Sequence, residues 1–300
     1  MAGETTQLGF IGLGVMGEPM CRNLVQKSGA RVMAHDRDPA PLERLRAHGA
    51  QACAQLREAV EGSSVIFLSL PSGEVVRELA LAEGGLLDCA SKGQIVVDTS
   101  TSPVGSTREL AERFGERGVT FIDAPIARTR AAAEAGALSV MVGADPAVFE
   151  QVRGYIATFA TDISLCGPVG CGQVVKIMNN MVLFETVMAL SEAKTIGERA
   201  GVPAELLFEV LSKGSADSFA LRNHGMKAIV PDEFPLRAFS TVYARKDLRY
   251  ARELAAQTGV DARGADTVDG WFDAAIEAGD GDNYFPVIAR RLAATPRGSQ

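Results

Sequence analysis

Cationic side chains are in the minority here. The 300 residues include 30 Lys and Arg against 37 Asp and Glu, a formal net charge of −7. That balance argues against nucleic acid or an anionic membrane as partner. Long apolar runs are missing too. The longest falls well short of the roughly 20 residues that a membrane helix needs. The opening Met1-Ala-Gly-Glu-Thr-Thr-Gln7 has neither the basic patch nor the apolar stretch of a secretory signal. Histidine is scarce and scattered, at 35, 48 and 224, so no metal site is expected. The cysteines are few and odd in number, at 21, 53, 89, 166 and 171, without ligand spacing. Reduced thiols in a cytoplasmic protein fit that pattern. Apolar residues are plentiful at 47%, enough for one large core or two of ordinary size.

A glycine turn near the start is the first feature with chemistry in it. Residues 8–11 read as a short apolar strand. Gly12, Gly14 and Gly17 follow as G-x-G-x-x-G, and 19–27 reads as a helix. Gly12 permits a tight turn, Gly14 lets backbone approach a pyrophosphate, and Gly17 lets helix pack on strand. The helix N-terminus supplies N–H groups and a positive dipole end for phosphate. A second strand, 31–36, closes on Asp36, about 20 residues after the turn, where an acid takes the ribose hydroxyls. A carboxylate there favours NAD and repels the 2′-phosphate of NADP, while Arg37 beside it keeps NADP possible.

Strands and helices then alternate. Helices are expected over 40–48, 56–61, 73–81, 103–117, 130–136 and 146–157. Strands are expected over 64–70, 94–98, 119–123, 137–142 and 162–165. This is the pattern of an α/β Rossmann domain with a parallel, doubly wound sheet. Ligands in such sheets sit beyond the carboxyl ends of strands. Leu70-Pro71, Asp98-Thr-Ser-Thr101 and Asp123-Ala-Pro-Ile-Ala-Arg-Thr129 all fall at such ends. Arg128 precedes a helix that Thr129 is placed to cap, so guanidinium and N–H groups together make an anion site.

No strand is expected after Cys166. Helical periodicity covers 174–200, 203–212, 236–250 and onward, 265–278 and 284–292, with turns at Gly259 and Gly264. The expected division is a dinucleotide-binding domain, 1–166, and an all-α domain, 167–300. The run from 174 to 200 is apolar on most faces, yet Lys176, Asn179, Asn180 and Leu183 share one face at i, i+3, i+4 and i+7. Its start at the division places Lys176 at a cleft between domains. A snorkelling Lys at a helix start and a catalytic Lys beside substrate-holding amides both fit that spacing.

Taken together, the chain resembles the β-hydroxyacid dehydrogenase family, also called the 3-hydroxyisobutyrate dehydrogenase family, related to 6-phosphogluconate dehydrogenase. The carriers are residues 9–20, Asp98-Thr-Ser-Thr-Ser-Pro103, Asp123-Ala-Pro-Ile126, Gly167-x-x-Gly-x-Gly-x-x-x-Lys176-x-x-Asn-Asn180 and Lys246-Asp-Leu248. The resemblance implies an NAD(P)-dependent oxidoreductase acting on CH–OH groups. It also implies a helical domain that builds a homodimer or homotetramer. Lys176 is then the catalytic Lys and Asn180 its partner. Gly12, Leu13, Gly14, Val15, Met16, Gly17, Asp36, Arg37, Leu70, Pro71, Thr101 and Lys246 are the cofactor contacts. Ser100, Arg128, Thr129, Asn179 and Asp247 are the substrate contacts. The expected reaction moves a hydride between NAD(H) and a small anionic β-hydroxyacid or its semialdehyde. A Lys whose pKa is lowered by burial serves as base one way and acid the other. The family's Ser-Gly-Gly loop is here Ala127-Arg128-Thr129, which is similar to the sulfolactaldehyde reductases and suggests a sulfonate or another bulky anion as the alternative. A non-catalytic NAD-binding subunit is a third reading. Imine reductases share the architecture but usually lack the Lys.

Overall fold

A computed structural model describes residues 6–236 and 238–294. Two compact units are present, one running to Lys176 and the other from Ile177.

The first unit is built on nine strands: β1 (Gln7–Ile11), β2 (Arg31–His35), β3 (Gln51–Ala52), β4 (Val65–Leu68), β5 (Ile95–Asp98), β6 (Thr120–Asp123), β7 (Ile126–Ala127), β8 (Leu138–Gly143) and β9 (Ala160–Gly167). They lie in the order β3-β2-β1-β4-β5-β6-β8-β7, with β9 paired to β8. β1 to β6 are parallel, in the strand order of a dinucleotide-binding sheet. β8 departs from the expected all-parallel sheet: it runs antiparallel to β6 and β7 and parallel to β9. Between β1 and β4 the order changes direction, which is where sheets of this kind bind their ligands.

Side chains of the central strands alternate between two apolar layers, as the period of two requires. Phe10 and Phe67 stack at 6.0 Å on one face with Phe159 edge-on. Ile66, Leu68, Phe114 and Phe121 fill the other. Several of the flanking helices start on short polar caps. Ser72 accepts from Val75 N, and Asp38 and Asp145 each accept from the residue two on, with Pro in the first turn. β3, β7 and the helix Leu86–Cys89 were not anticipated, since two to four residues carry no readable period. All five cysteines lie in this unit and are unpaired; Cys21, Cys53 and Cys89 are buried.

The second unit is helical, apart from two isolated bridges, Leu236 with Asn283 and Ser240 with Tyr284. Those bridges correct one expectation. The helix placed from 236 begins at Thr241, because Ser240 turns the chain and accepts from Tyr243 N. Gly259, left-handed at φ 74°, ends that helix. Gly264 is not a turn. It lies in the helix Arg263–Glu277, where a Cβ would come within 2.8 Å of the Glu185 carboxylate. A nine-residue π-helix, Leu221–Ile229, was also missed. Its wide turns bury His224 against Phe285 and bring Gly225 onto Phe208, where a Cβ would lie 2.7 Å from the ring.

The long helix Cys171–Arg199 is, among the described residues, the one helix long and apolar enough to cross a membrane. About one face of it is buried in this protein. From Ile177 on, Phe184, Val187 and Leu190 enter a cluster with Phe208, Phe272 and Phe285. Phe184 meets Phe272 and Phe285 edge to face at 5.4 and 5.1 Å.

Candidate active site and cofactor cradle

The glycine turn has the shape its spacing promises. Gly12 adopts φ +92°, and a Cβ there would lie 2.3 Å from the Ser69 carbonyl oxygen. A Cβ at Gly17 would collide with the Gly12 carbonyl at 2.0 Å, so helix Gly17–Lys27 can press onto the turn only as glycine. Gly14 differs: a Cβ there meets nothing within 4 Å, so the space above it is open. Gly14 and Val15 are exposed, Met16 is half-buried, and the helix starts at Met16 without a side-chain cap. An open glycine before an uncapped helix start fits a pyrophosphate. Leu13 is buried instead, and its N–H donates to Asp36 Oδ2. Asp36 Oδ1 accepts from Asp38 N at 2.8 Å, which holds the carboxylate at the rim, while Arg37 is exposed. The turn and Asp36 therefore form one bonded cradle.

Beyond β4 and β5 lies a second, tighter group. Ser100 Oγ accepts from Leu70 N at 2.9 Å, and Thr99 Oγ1 donates to the Leu68 carbonyl at 2.6 Å. Asp98, fully buried, accepts from Ser100 N at 2.9 Å and from Ser102 Oγ at 3.2 Å. Burial pushes its carboxyl up to about 7, with the Ser100 and Ser102 bonds opposing. Thr101 is half-buried and Pro71 exposed at the same loops. The structure thus brings Leu70, Ser100 and Thr101 together.

Asp123, at the end of β6, is also fully buried and faces the start of the long helix. Its Oδ1 accepts from Gly170 N at 2.6 Å and its Oδ2 from Gln173 N at 2.8 Å, and Gly172 donates as well. Burial pushes this carboxyl up to about 6, against the pull of those N–H groups. Glycine is required at 172, since a Cβ would approach Asp123 Oδ2 at 2.8 Å and the Met141 carbonyl at 2.3 Å. Lys176 follows on this helix and is 8% exposed.

In the helical unit, Asn180 is buried and donates through Nδ2 to Asp247 Oδ2 at 2.8 Å. Asn179 is exposed, and its amide donates to Asn180 Oδ1 at 3.1 Å. Lys246 sits 3.1 Å from Asp247 Oδ1, with its ammonium 5.5 Å from the Tyr243 ring centre and 5.3 Å from that of Tyr250. Asn179, Asn180, Lys246 and Asp247 therefore form one polar cluster on two helices.

Arg128 is placed otherwise than expected. It holds a left-handed φ of +87°, and its guanidinium is engaged within the chain. It donates to the Ala137 carbonyl at 2.7 Å and to Thr161 Oγ1 at 3.0 Å, and pairs with Asp162 at 2.7 Å. Thr129 caps the helix as expected, accepting from Ala132 N, while the Arg128 guanidinium is engaged by Asp162. The sequence holds no hint of Asp162, which lies on β9. The site residue it overlooked is Gln173, fully buried and bonded to the 100–102 loop through its side chain. Its signal was available: a polar side chain in an apolar run, three residues before Lys176. No group of three or more potential metal ligands gathers among the described residues.

Known proteins resemble this chain over most of its length. Residues 7–167 match the model for the NAD-binding domain of 6-phosphogluconate dehydrogenase. Residues 170–292 match that for the NAD-binding domain of NADP-dependent 3-hydroxyisobutyrate dehydrogenase. A 2-(hydroxymethyl)glutarate dehydrogenase of Eubacterium barkeri is 36% identical over 250 residues, 83% of this chain and 82% of the relative. An NAD-dependent L-serine dehydrogenase of Pseudomonas aeruginosa is 34% identical, covering 83% of this chain and 85% of its own. The solved structure of Mycobacterium tuberculosis 3-hydroxyisobutyrate dehydrogenase with L-serine superimposes with a TM-score of 0.88 at 31% identity, over 97% of this chain and 100% of that one. This chain belongs to the 3-hydroxyisobutyrate dehydrogenase-related, 6-phosphogluconate dehydrogenase-like family of NAD(P)-dependent oxidoreductases acting on CH–OH groups.

Proposed function

We propose that this chain interconverts a small anionic β-hydroxyacid and its semialdehyde, with Lys176 as general acid–base and NAD(H) as the cofactor. The observation that carries the reading is the pair Lys176 and Asn180. They are two buried polar side chains one helical turn apart on a helix whose first turn is held by a buried carboxylate. The cofactor supplies the hydride chemistry, and the protein's part is placement and proton management. Lys176 takes the hydroxyl proton in oxidation and returns one to the developing alkoxide in reduction. Asn180, fixed by Asp247, orients the oxygen, with Asn179 bonded beside it. Gly12 to Gly17 and Asp36 hold the dinucleotide, with Asp36 selecting NAD. The relatives' named substrates, hydroxyisobutyrate, L-serine and 2-(hydroxymethyl)glutarate, share a primary alcohol on the carbon next to the one bearing the carboxylate. That is the substrate class proposed here. The sulfonate alternative rests on the likeness of Ala127-Arg128-Thr129 to the sulfolactaldehyde reductases, and the pairing of Arg128 with Asp162 favours the carboxylate reading over it.

The same proposal includes a dinucleotide-binding domain, 1–166, and a helical domain, 167–300, that carries homodimer or homotetramer contacts. Exposed Val182, Ile196 and Val210 support the latter. Five unpaired thiols support a cytoplasmic setting. The test is a panel of short β-hydroxyacids and semialdehydes assayed with NAD(H) and with NADP(H), on wild type and Lys176→Ala. Turnover by wild type and a loss of about 10²–10⁴-fold in kcat in the variant is the expected result. Near-full turnover by Lys176→Ala would sink the assignment.

A further inference from the structure

One buried amide joins the loop that carries Thr101 to the helix that carries Lys176. Gln173 has no exposed surface. Its Nε2 donates to the Ser100 carbonyl at 2.8 Å, and its Oε1 accepts from Ser102 N at 3.1 Å. The two bonds bracket Thr101, so a single side chain fixes both ends of that three-residue segment. The segment is fixed from the other side as well, through Asp98 to Ser100 N and Ser102 Oγ and through Ser100 Oγ to Leu70 N. Gln173 is itself held at its backbone, where its N–H reaches Asp123 Oδ2 at 2.8 Å. Gln173 and Lys176 are i and i+3 on one continuous helix, so they lie on the same side of it.

We propose that Gln173 is a positioning residue for the hydride-transfer reaction. It sets the distance and angle between Lys176 and the Ser100-Thr101-Ser102 loop, so that proton transfer and cofactor placement stay in register. This rests on the function proposed above. The chemistry asks for Gln in particular. One face of the site is a carbonyl and the other an N–H, and only a side chain with donor and acceptor on one planar group answers both. The chain is long enough to reach a loop 71 to 73 residues away in sequence. A merely space-filling role would be met by Leu or Met. Misplacement of about 1 Å is enough to cost on the order of 10²-fold in rate.

Two variants separate positioning from packing. Gln173→Leu keeps volume and removes both bonds. It is expected to lower kcat about 10- to 100-fold, with substrate KM changed less than about threefold. Gln173→Glu keeps the shape but loses the donor when ionised. Protonated, the new carboxyl again donates to Ser100 O and accepts from Ser102 N. Assayed in the reductive direction, the ratio of its kcat to that of wild type should climb as pH falls from about 8 to about 5.5, since burial holds such a carboxyl protonated well above its free value. The ratio for Gln173→Leu should stay flat over the same range. Asp98 and Asp123 border the same loop and helix turn and titrate in all three proteins, so the ratio removes their contribution. A flat ratio for Gln173→Glu, or full kcat in Gln173→Leu, overturns the positioning role while leaving the activity standing. Absence of wild-type turnover on the whole panel overturns the activity and this inference together.

Discussion

In the sheet unit, buried Asp98 and Asp123 are answered by backbone N–H groups and serine hydroxyls. In the helical unit, Asp269 is answered by Arg245 and Arg252, and Asp280 by Arg291. The difference follows from what each unit leaves unsatisfied. A helix interior has no spare N–H groups, so helix pairs are joined through side chains across their faces. Strand-end loops and a helix start have unpaired N–H groups, and a buried carboxylate gathers several at once. Asp98 and Asp123 therefore shape backbone, whereas Asp269 and Asp280 clip finished elements together.

That contrast can be broken most directly at Asp123. Asp123→Leu leaves the Gly170 and Gln173 N–H groups buried without their acceptor and should lower unfolding stability by roughly 3–5 kcal/mol, read from denaturant midpoints. A fall below 1 kcal/mol would mean that the helix start is held by something else. Next in size is the pH response. Both carboxyls are pushed up by burial, to about 7 and about 6, from an ordinary 3.8. The folded state then keeps protons that the unfolded chain releases. Their stabilising contribution is complete below about pH 4 and is lost as pH rises through 6 to 7, a change on the order of several kcal/mol. Asp98→Asn should flatten that slope, and an unchanged slope would show that Asp98 is not its source. Asp36 lies between the extremes, bonded to Leu13 N yet at the rim. Asp36→Ser should shift the NAD to NADP preference of kcat/KM by about tenfold or more, with wild type favouring NAD. A wild-type preference for NADP would put Arg37 in charge. Asp269→Asn should cost only about 1–2 kcal/mol, since the amide oxygen still accepts from one guanidinium and the other, partly exposed, turns to water. The smallest effect is expected at Arg128. In Arg128→Gly, relief of the left-handed backbone, about 1–2 kcal/mol, offsets the added freedom of the unfolded chain, about 0.5–1 kcal/mol, and the exposed ion pair adds little. A melting temperature many degrees lower would make that pair structural.

Backbone-dictated features were the readable ones. Gly12 and Gly17 declare their turn because no other residue fits the space, and Asp36 declares itself by its distance from them. The alternation of strands and helices follows from periods of two and 3.6. What the sequence withheld was direction and partner. Arg128 looks like an anion anchor until the fold places Asp162, 34 positions later, against it. Gln173 looks like one more polar residue at a helix start until the loop at 100–102 closes on it. β8 reads as a strand in any direction, and nothing local says that it pairs antiparallel to β6. The π-helix at Leu221–Ile229 escaped because its widened turns blur the 3.6-residue rhythm by which helices are recognised.

The placement of the thiols gives the protein an unplanned pair of reporters. All five cysteines precede Ile177, while the single tryptophan, Trp271, lies in the helical unit against its apolar cluster. Cys21 is wholly buried in the sheet core, and burial raises its thiol's pKa, so a labelling reagent reaches it only when that core opens. Alkylation counted by mass thus clocks the opening of one unit, and indole emission follows the other. In one sample, without an added dye or a new substitution, the two clocks show whether the halves of the chain come apart together or in turn.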